Sequence, residues 1–127
     1  MHDQPSAAEL VAAVKAFIRD TARPQLTGHA AFHARVAENA LAIVERELAA
    51  RPAREAEEAE RLQGLLDSGN DDAGELNRKL AEAIRAGQFT LETPGLLEHL
   101  KKTAIAQVEI DQPHYSGLGI ATKSVHR

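Results

Sequence analysis

The sequence predicts an all-α fold, a single-domain bundle of four to five mostly antiparallel helices, and three features carry that expectation. Alanine is abundant while aromatic residues are scarce: three Phe, one Tyr and no Trp in 127 residues. A core built from Ala, Leu, Val and Ile suits close-packed helices better than a β-sandwich. Apolar residues recur at helical spacing through most of the chain. The links between these runs are short and carry helix start and stop signals, which makes successive helices antiparallel neighbours.

The first helix follows Pro5, where Ser6 with Glu9 three residues on forms a capping box. Leu10, Val14, Phe17, Ile18 and Thr21 form its stripe, widened by Val11, and Arg23-Pro24 closes it. The central helix runs from Gly28 to Ala50 without an internal glycine or proline. Phe32, Val36, Ala37, Ala40, Leu41, Ile43, Val44 and Leu48 fill an arc about half its circumference wide, as in a helix touching more than one neighbour. Arg51-Pro52 is expected to end it, with Pro52 opening a third helix at its first turn. That third helix carries a thin stripe of Ala59, Leu62, Leu65 and Leu66, and its charge run from Glu55 to Arg61 reads as a solvated face.

The cluster from Ser68 to Asp72 is a turn, and Asp71 or Asp72 starts the fourth helix. Leu76, Leu80, Ala83 and Ile84 are its stripe and Gly87 its stop. An extended connector follows, from which Phe89 and Leu91 are expected to plug an end of the bundle. Thr93-Pro94 then reads as a capped start for the fifth helix, with Leu96, Leu97, Leu100, Ala104, Ile105 and Val108 leading to Asp111 before Pro113. The predicted bundle spans residues 1–116, and residues 117–127 are expected to be a flexible tail.

Fifteen basic against nineteen acidic residues leave a net charge of −4, a poor match to nucleic acid. Cysteine is absent, which removes disulfides, thiolate zinc sites and cysteine nucleophiles. The first ten residues lack the pattern of a signal peptide, and no run is long enough for a membrane helix, so a cytoplasmic location is expected. No Gly-x-Ser-x-Gly elbow or Walker loop occurs, and Gly117-Leu118-Gly119 lacks the strand and helix of a dinucleotide turn. No catalytic residue and no cofactor is expected.

His29 and His33 lie one turn apart, a spacing at which two imidazoles can share a metal ion. The glutamate of a zincin helix is missing, because Ala30 stands in its place, and no Glu-x-x-His pair of a di-iron bundle occurs. Metal binding by His29 and His33, with His99 or His114 as further donors, is therefore the secondary reading. Asn39 and Arg46 border the apolar arc of the same helix, and Arg35 lies on its opposite, charged face with Glu38. With the two histidines and Tyr115 they are the candidates for contacting a partner or ligand.

Four segments together resemble a known group: HDQPSAAELVAAVKAFIRD, GHAAFHARVAENALAIVERE, LNRKLAEAIRAGQF and LLEHLKKTAIAQVEIDQPHYSG. They are similar to a family of small bacterial proteins of unknown function, typically encoded beside an aminoglycoside-phosphotransferase-like kinase and an acyl-CoA-dehydrogenase-like enzyme. The family resembles the LvaB-like accessory component of the hydroxyacyl-CoA kinase of levulinate catabolism. The resemblance runs over most of the chain, from Pro5 to Gly117. It implies a non-catalytic accessory subunit whose partners are that kinase, acting on a 4-hydroxyacyl-CoA, and the dehydrogenase-like enzyme. At Gly28-His29, ahead of the Ala-Phe-His-Ala-Arg run, the resemblance implies an arginine-like residue that this chain lacks, and it assigns no functional residues. A free-standing ligand- or metal-binding bundle is the alternative, and the alanine-rich faces also suit a homo-oligomer.

Overall fold

The computed structural model describes residues 4–69 and 72–125. Five α-helices make up the fold: α1 (Ala7–Phe17), α2 (Gly28–Leu66), α3 (Ala73–Arg85), α4 (Leu96–Asp111) and α5 (Leu118–Val125). No strand occurs among the described residues, so the chain is an all-α helical bundle. It divides into two compact units, Met1–Arg51 and Pro52–Arg127, and each is described by itself.

In the first unit, Ser6 caps α1, its Oγ accepting from the Glu9 N–H at 3.2 Å, which is one half of the predicted capping box; the return bond to the Glu9 side chain is not made among the described residues. The helix does not stop at Phe17. It widens into a π turn over Ile18–Ala22, where the Arg23 N–H donates to the Ile18 carbonyl, and then tightens into a 3-10 turn over Arg23–Gln25. Thus the stop near Arg23-Pro24 holds, with a wider last turn than the period suggests. Lys15 Nζ meets Glu45 at 2.6 Å and Arg23 meets Glu38 at 2.8 Å. Rising numbers on one side pair with falling numbers on the other, so the segment that begins with α1 and the first half of α2 form an antiparallel hairpin.

In the second unit, Leu62, Leu76, Leu80 and Leu96 form the core, with Ala59, Leu66 and Phe89 packed against it. Asp72 caps α3, its Oδ1 accepting from the Glu75 N–H at 2.9 Å, which selects one of the two aspartates the sequence offers; Asp71 lies outside the described residues. At the far end Gly87 has φ +79°, and the Gln88 N–H reaches back to the Ala83 carbonyl at 2.9 Å, the glycine stop the sequence predicts. Arg54 pairs with Glu109 while Arg61 reaches His99 and Thr103, so the second half of α2 runs antiparallel to α4.

Four expectations are corrected. Pro52 neither ends nor starts a helix: it lies inside the 39 residues of α2. Proline removes one hydrogen bond and crowds the carbonyl four residues back, at about 3 kcal/mol, but Ala49, Ala50 and Arg51 before it and Ala53, Arg54 and Glu55 after it favour helix strongly enough to carry it through. The division between the two compact units nonetheless falls at this proline. Secondly, α4 begins at Leu96 rather than Pro94, with Gly95 in the left-handed region (φ 86°) at its N-cap. Thr93 serves the preceding turn instead, its Oγ1 accepting from the Thr90 N–H at 2.8 Å. Thirdly, Leu91 is exposed, and Phe89 alone of that pair packs on the core. Finally, residues 118–125 of the expected tail are helical and Val125 is buried. Leu118, Ala121, Thr122 and Val125 supply a helical spacing that the two nearby glycines obscure.

Candidate functional site

The sharpest contrast between the two units is burial. Every buried residue among those described belongs to the second unit, the earliest being Leu62; α1 and the turns after it bury none. Val11, Ile18 and Ala22 on one side of the hairpin and Ala31, Ala34, Ala37 and Leu41 on the other are only half-buried. Two helices side by side enclose no interior, so whatever apolar surface points elsewhere stays in water.

There is much of it. Leu10, Val14 and Phe17 follow one another at helical spacing on α1, and each is more than half exposed. At about 100° per residue they lie roughly 100–160° around the helix from Lys15, which faces the hairpin partner. Phe32 is 61% exposed and Val36 48%, and they sit roughly 120–160° around α2 from Glu38. Large apolar stripes left in water beside a polar seam mark interaction surfaces.

At the turn between α1 and α2 lies a shallow concavity of about 460 Å³, where Arg19, Arg23 and Arg35 surround Pro24, Gly28 and Phe32. Arg19 forks onto Asp20 at 2.8 and 3.0 Å, and that contact holds the Asp20 carboxyl below its usual range. Arg23 is paired with Glu38, but the 2.8 Å approach lacks hydrogen-bond geometry, so Glu38 Oε2 is buried without a hydrogen-bond partner. Arg35 makes no hydrogen bond and no ion pair among the described residues. It does not pair with Glu38 along its own helix, as neighbouring positions would allow; Glu38 turns to Arg23 instead.

The other sequence candidates are more dispersed. His29 and His33 are exposed, and the His33 ring stands edge-on to Phe32 with centroids 5.6 Å apart. Among the described residues no three His, Cys, Asp or Glu side chains gather as a metal site. Asn39 is exposed and Arg46 half-buried, both on α2. Tyr115 belongs to the second unit, where its exposed ring covers Gly117; a Cβ there would stand 2.8 Å from the ring. The structure thus brings Arg35 together with two arginines that sequence reasoning passed over. Arg19 and Arg23 sit four residues apart at a helix end, and that spacing was the available signal.

In the second unit the polar feature is internal. His99 is only 3% exposed, and its Nδ1 accepts from Arg61 Nε at 3.0 Å while Arg61 Nη2 reaches Thr103 Oγ1 at 3.3 Å. Burial, and then the charge of Arg61, push the His99 pKa below the usual histidine value, so the imidazole is neutral and accepts at Nδ1. Arg61 came from a charge run read as a solvated face, and it is half-buried instead. A cleft of about 310 Å³ nearby sets Arg54, Arg61 and Lys102 against Glu57, Glu60 and Glu109, three cations to three carboxylates. Such a balance selects neither sign of ligand. No helix among the described residues is long and apolar enough to cross a membrane.

No curated protein and no solved structure matches the chain. Residues 24–115, which take in α2, α3 and α4, do match a family model described as "Domain of unknown function (DUF6285)". That match covers well over half of the sequence, and the chain belongs to this family.

Proposed function

We propose that the protein is a cytoplasmic, non-catalytic accessory subunit that docks through its N-terminal hairpin onto an aminoglycoside-phosphotransferase-like kinase of 4-hydroxyacyl-CoA substrates. The acyl-CoA-dehydrogenase-like enzyme is the second partner in this reading, and levulinate-type hydroxy-acid catabolism is its setting. The observation that carries the docking is the hairpin itself: residues Leu10, Val14, Phe17, Phe32 and Val36 are all about half exposed, in a unit without a single buried residue among those described. A partner surface covering these stripes would supply the interior that two helices lack, at roughly 25 cal/mol per Å² of apolar area removed from water. The identity of the partner rests on the resemblance of the four sequence segments to the accessory family.

Co-expression with such a kinase tests the reading. The two chains are expected to co-elute on size exclusion, and added protein to raise kinase turnover. Val14→Glu and Val36→Glu place a charge in each stripe at positions half exposed in the free protein, and each should weaken co-elution at least tenfold while the helical circular dichroism is kept. If the wild-type chains neither co-elute nor alter turnover, the accessory role is wrong.

A further inference from the structure

We propose that the concavity between Arg19, Arg23 and Arg35 is a binding site for a small phosphate ester, with Phe32 as a flat support for the group the phosphate is attached to. Arg19, Arg23 and Arg35 all line one shallow depression at the turn of the hairpin. Guanidinium is planar, permanently charged, and matches the oxygens of a phosphate with paired donors. Two of the three are partly engaged but not used up. Arg19 gives Nε and Nη2 to Asp20 and keeps Nη1; Arg23 turns Nη1 to Glu38 and keeps Nε and Nη2. Arg35 has all its donors open, since it has neither a hydrogen bond nor an ion pair among the described residues.

The charge balance is specific to this place. Three arginines against Asp20 and Glu38 leave a local excess of one positive charge, in a chain whose net charge is −4. A diffuse attraction for anions is therefore absent, and an anion held here is held by contact. Phe32 lines the same depression and is 61% exposed, so an aromatic or other flat apolar substituent can lie on its ring while the phosphate faces the arginines. The cleft of the second unit, with three cations to three carboxylates, has no comparable excess.

The site shares Phe32 with the apolar stripe of the hairpin, but its binding needs no partner and is tested on the full chain alone. Phenyl phosphate, inorganic phosphate and benzoate are titrated separately, following backbone amide shifts by NMR. Saturable shifts at residues 19–35 are expected with phenyl phosphate, weaker ones with inorganic phosphate and the weakest with benzoate, all falling with added salt. Arg35→Ala should weaken phenyl phosphate binding about tenfold, with the melting temperature unchanged, and Arg35→Lys should recover only part of the loss. Phe32→Ala should erase the preference for phenyl phosphate over inorganic phosphate. No saturable binding, shifts scattered over the surface, benzoate binding as tightly as phenyl phosphate, or an unchanged affinity in Arg35→Ala would each overturn the assignment.

Discussion

His99 shows how one side chain acquires a role only inside the fold. Its ring is buried, accepts from Arg61, and has its pKa lowered by burial first and by the guanidinium second. In the unfolded chain the same imidazole protonates near pH 6.5. Below that value the unfolded state therefore binds more protons than the folded one. Stability should be fully present above about pH 6.5 and fall as the pH drops from there through the lower folded pKa. Urea unfolding measured from pH 7.5 down to 5 will display this slope, and His99→Gln should flatten it; an identical slope in both proteins would remove the assignment. In the sequence His99 was one of several spare histidines, because nothing local says that Arg61, 38 residues away, will point at it. Arg35 is the opposite case. Its place on the charged face of the central helix is legible in the sequence, but the company of Arg19 and Arg23 depends on how the turn folds back.

At the scale of elements, caps and stops were legible because they act within a few residues. Ser6, Asp72 and Gly87 each do the work that their local pattern predicts. Asp72→Ala should cost about 1 kcal/mol, since the Glu75 N–H loses its acceptor at the exposed start of α3. Gly95 is more demanding. Its φ of +86° lies where a side chain is strained, and an added Cβ would stand 3.2 Å from Leu65 Cδ2. Gly95→Ala is expected to destabilise by about 1–2 kcal/mol, read as a lower urea midpoint at unchanged m-value. At Thr93-Pro94 a hydroxyl before a proline suits a turn as well as a helix start, and here the hydroxyl closes the Thr90–Thr93 turn. The short α5 is hard to see in the sequence for a related reason: eight residues after a glycine give too few periods to stand out, and burial of Val125 gives them a fixed place.

For the whole molecule the decisive feature is α2, which contributes to both units. Pro52→Ala restores the missing N–H within its helix and should raise stability by about 1–3 kcal/mol, observed as a higher melting temperature with slightly more helical dichroism. A fall in stability would mean that the local geometry at Pro52 is needed. The division of labour is also visible at this scale. The second unit holds the leucine core and the buried His99, while the hairpin holds the exposed apolar stripes and the arginine concavity. The one owes its integrity to its own interior; the other leaves its apolar surface available.

By itself the sequence determined the all-α class and most helix ends, because period, capping and propensity are properties of neighbouring residues; the antiparallel neighbours expected on either side of Pro52 are one continuous helix. The long-range pattern was beyond it. Whether a proline at the end of an alanine-rich run breaks the helix is settled by competing terms of a few kcal/mol. Which apolar stripes find a neighbour depends on how many helices pack around them, and the sequence of a stripe is the same whether it is covered or not. Only the tertiary structure decided that Leu62 is fully enclosed while Phe32 and Val36 stay in water, and that three arginines from two segments meet around one depression. Burial and convergence are sums over residues far apart in the chain, and local chemistry does not contain them.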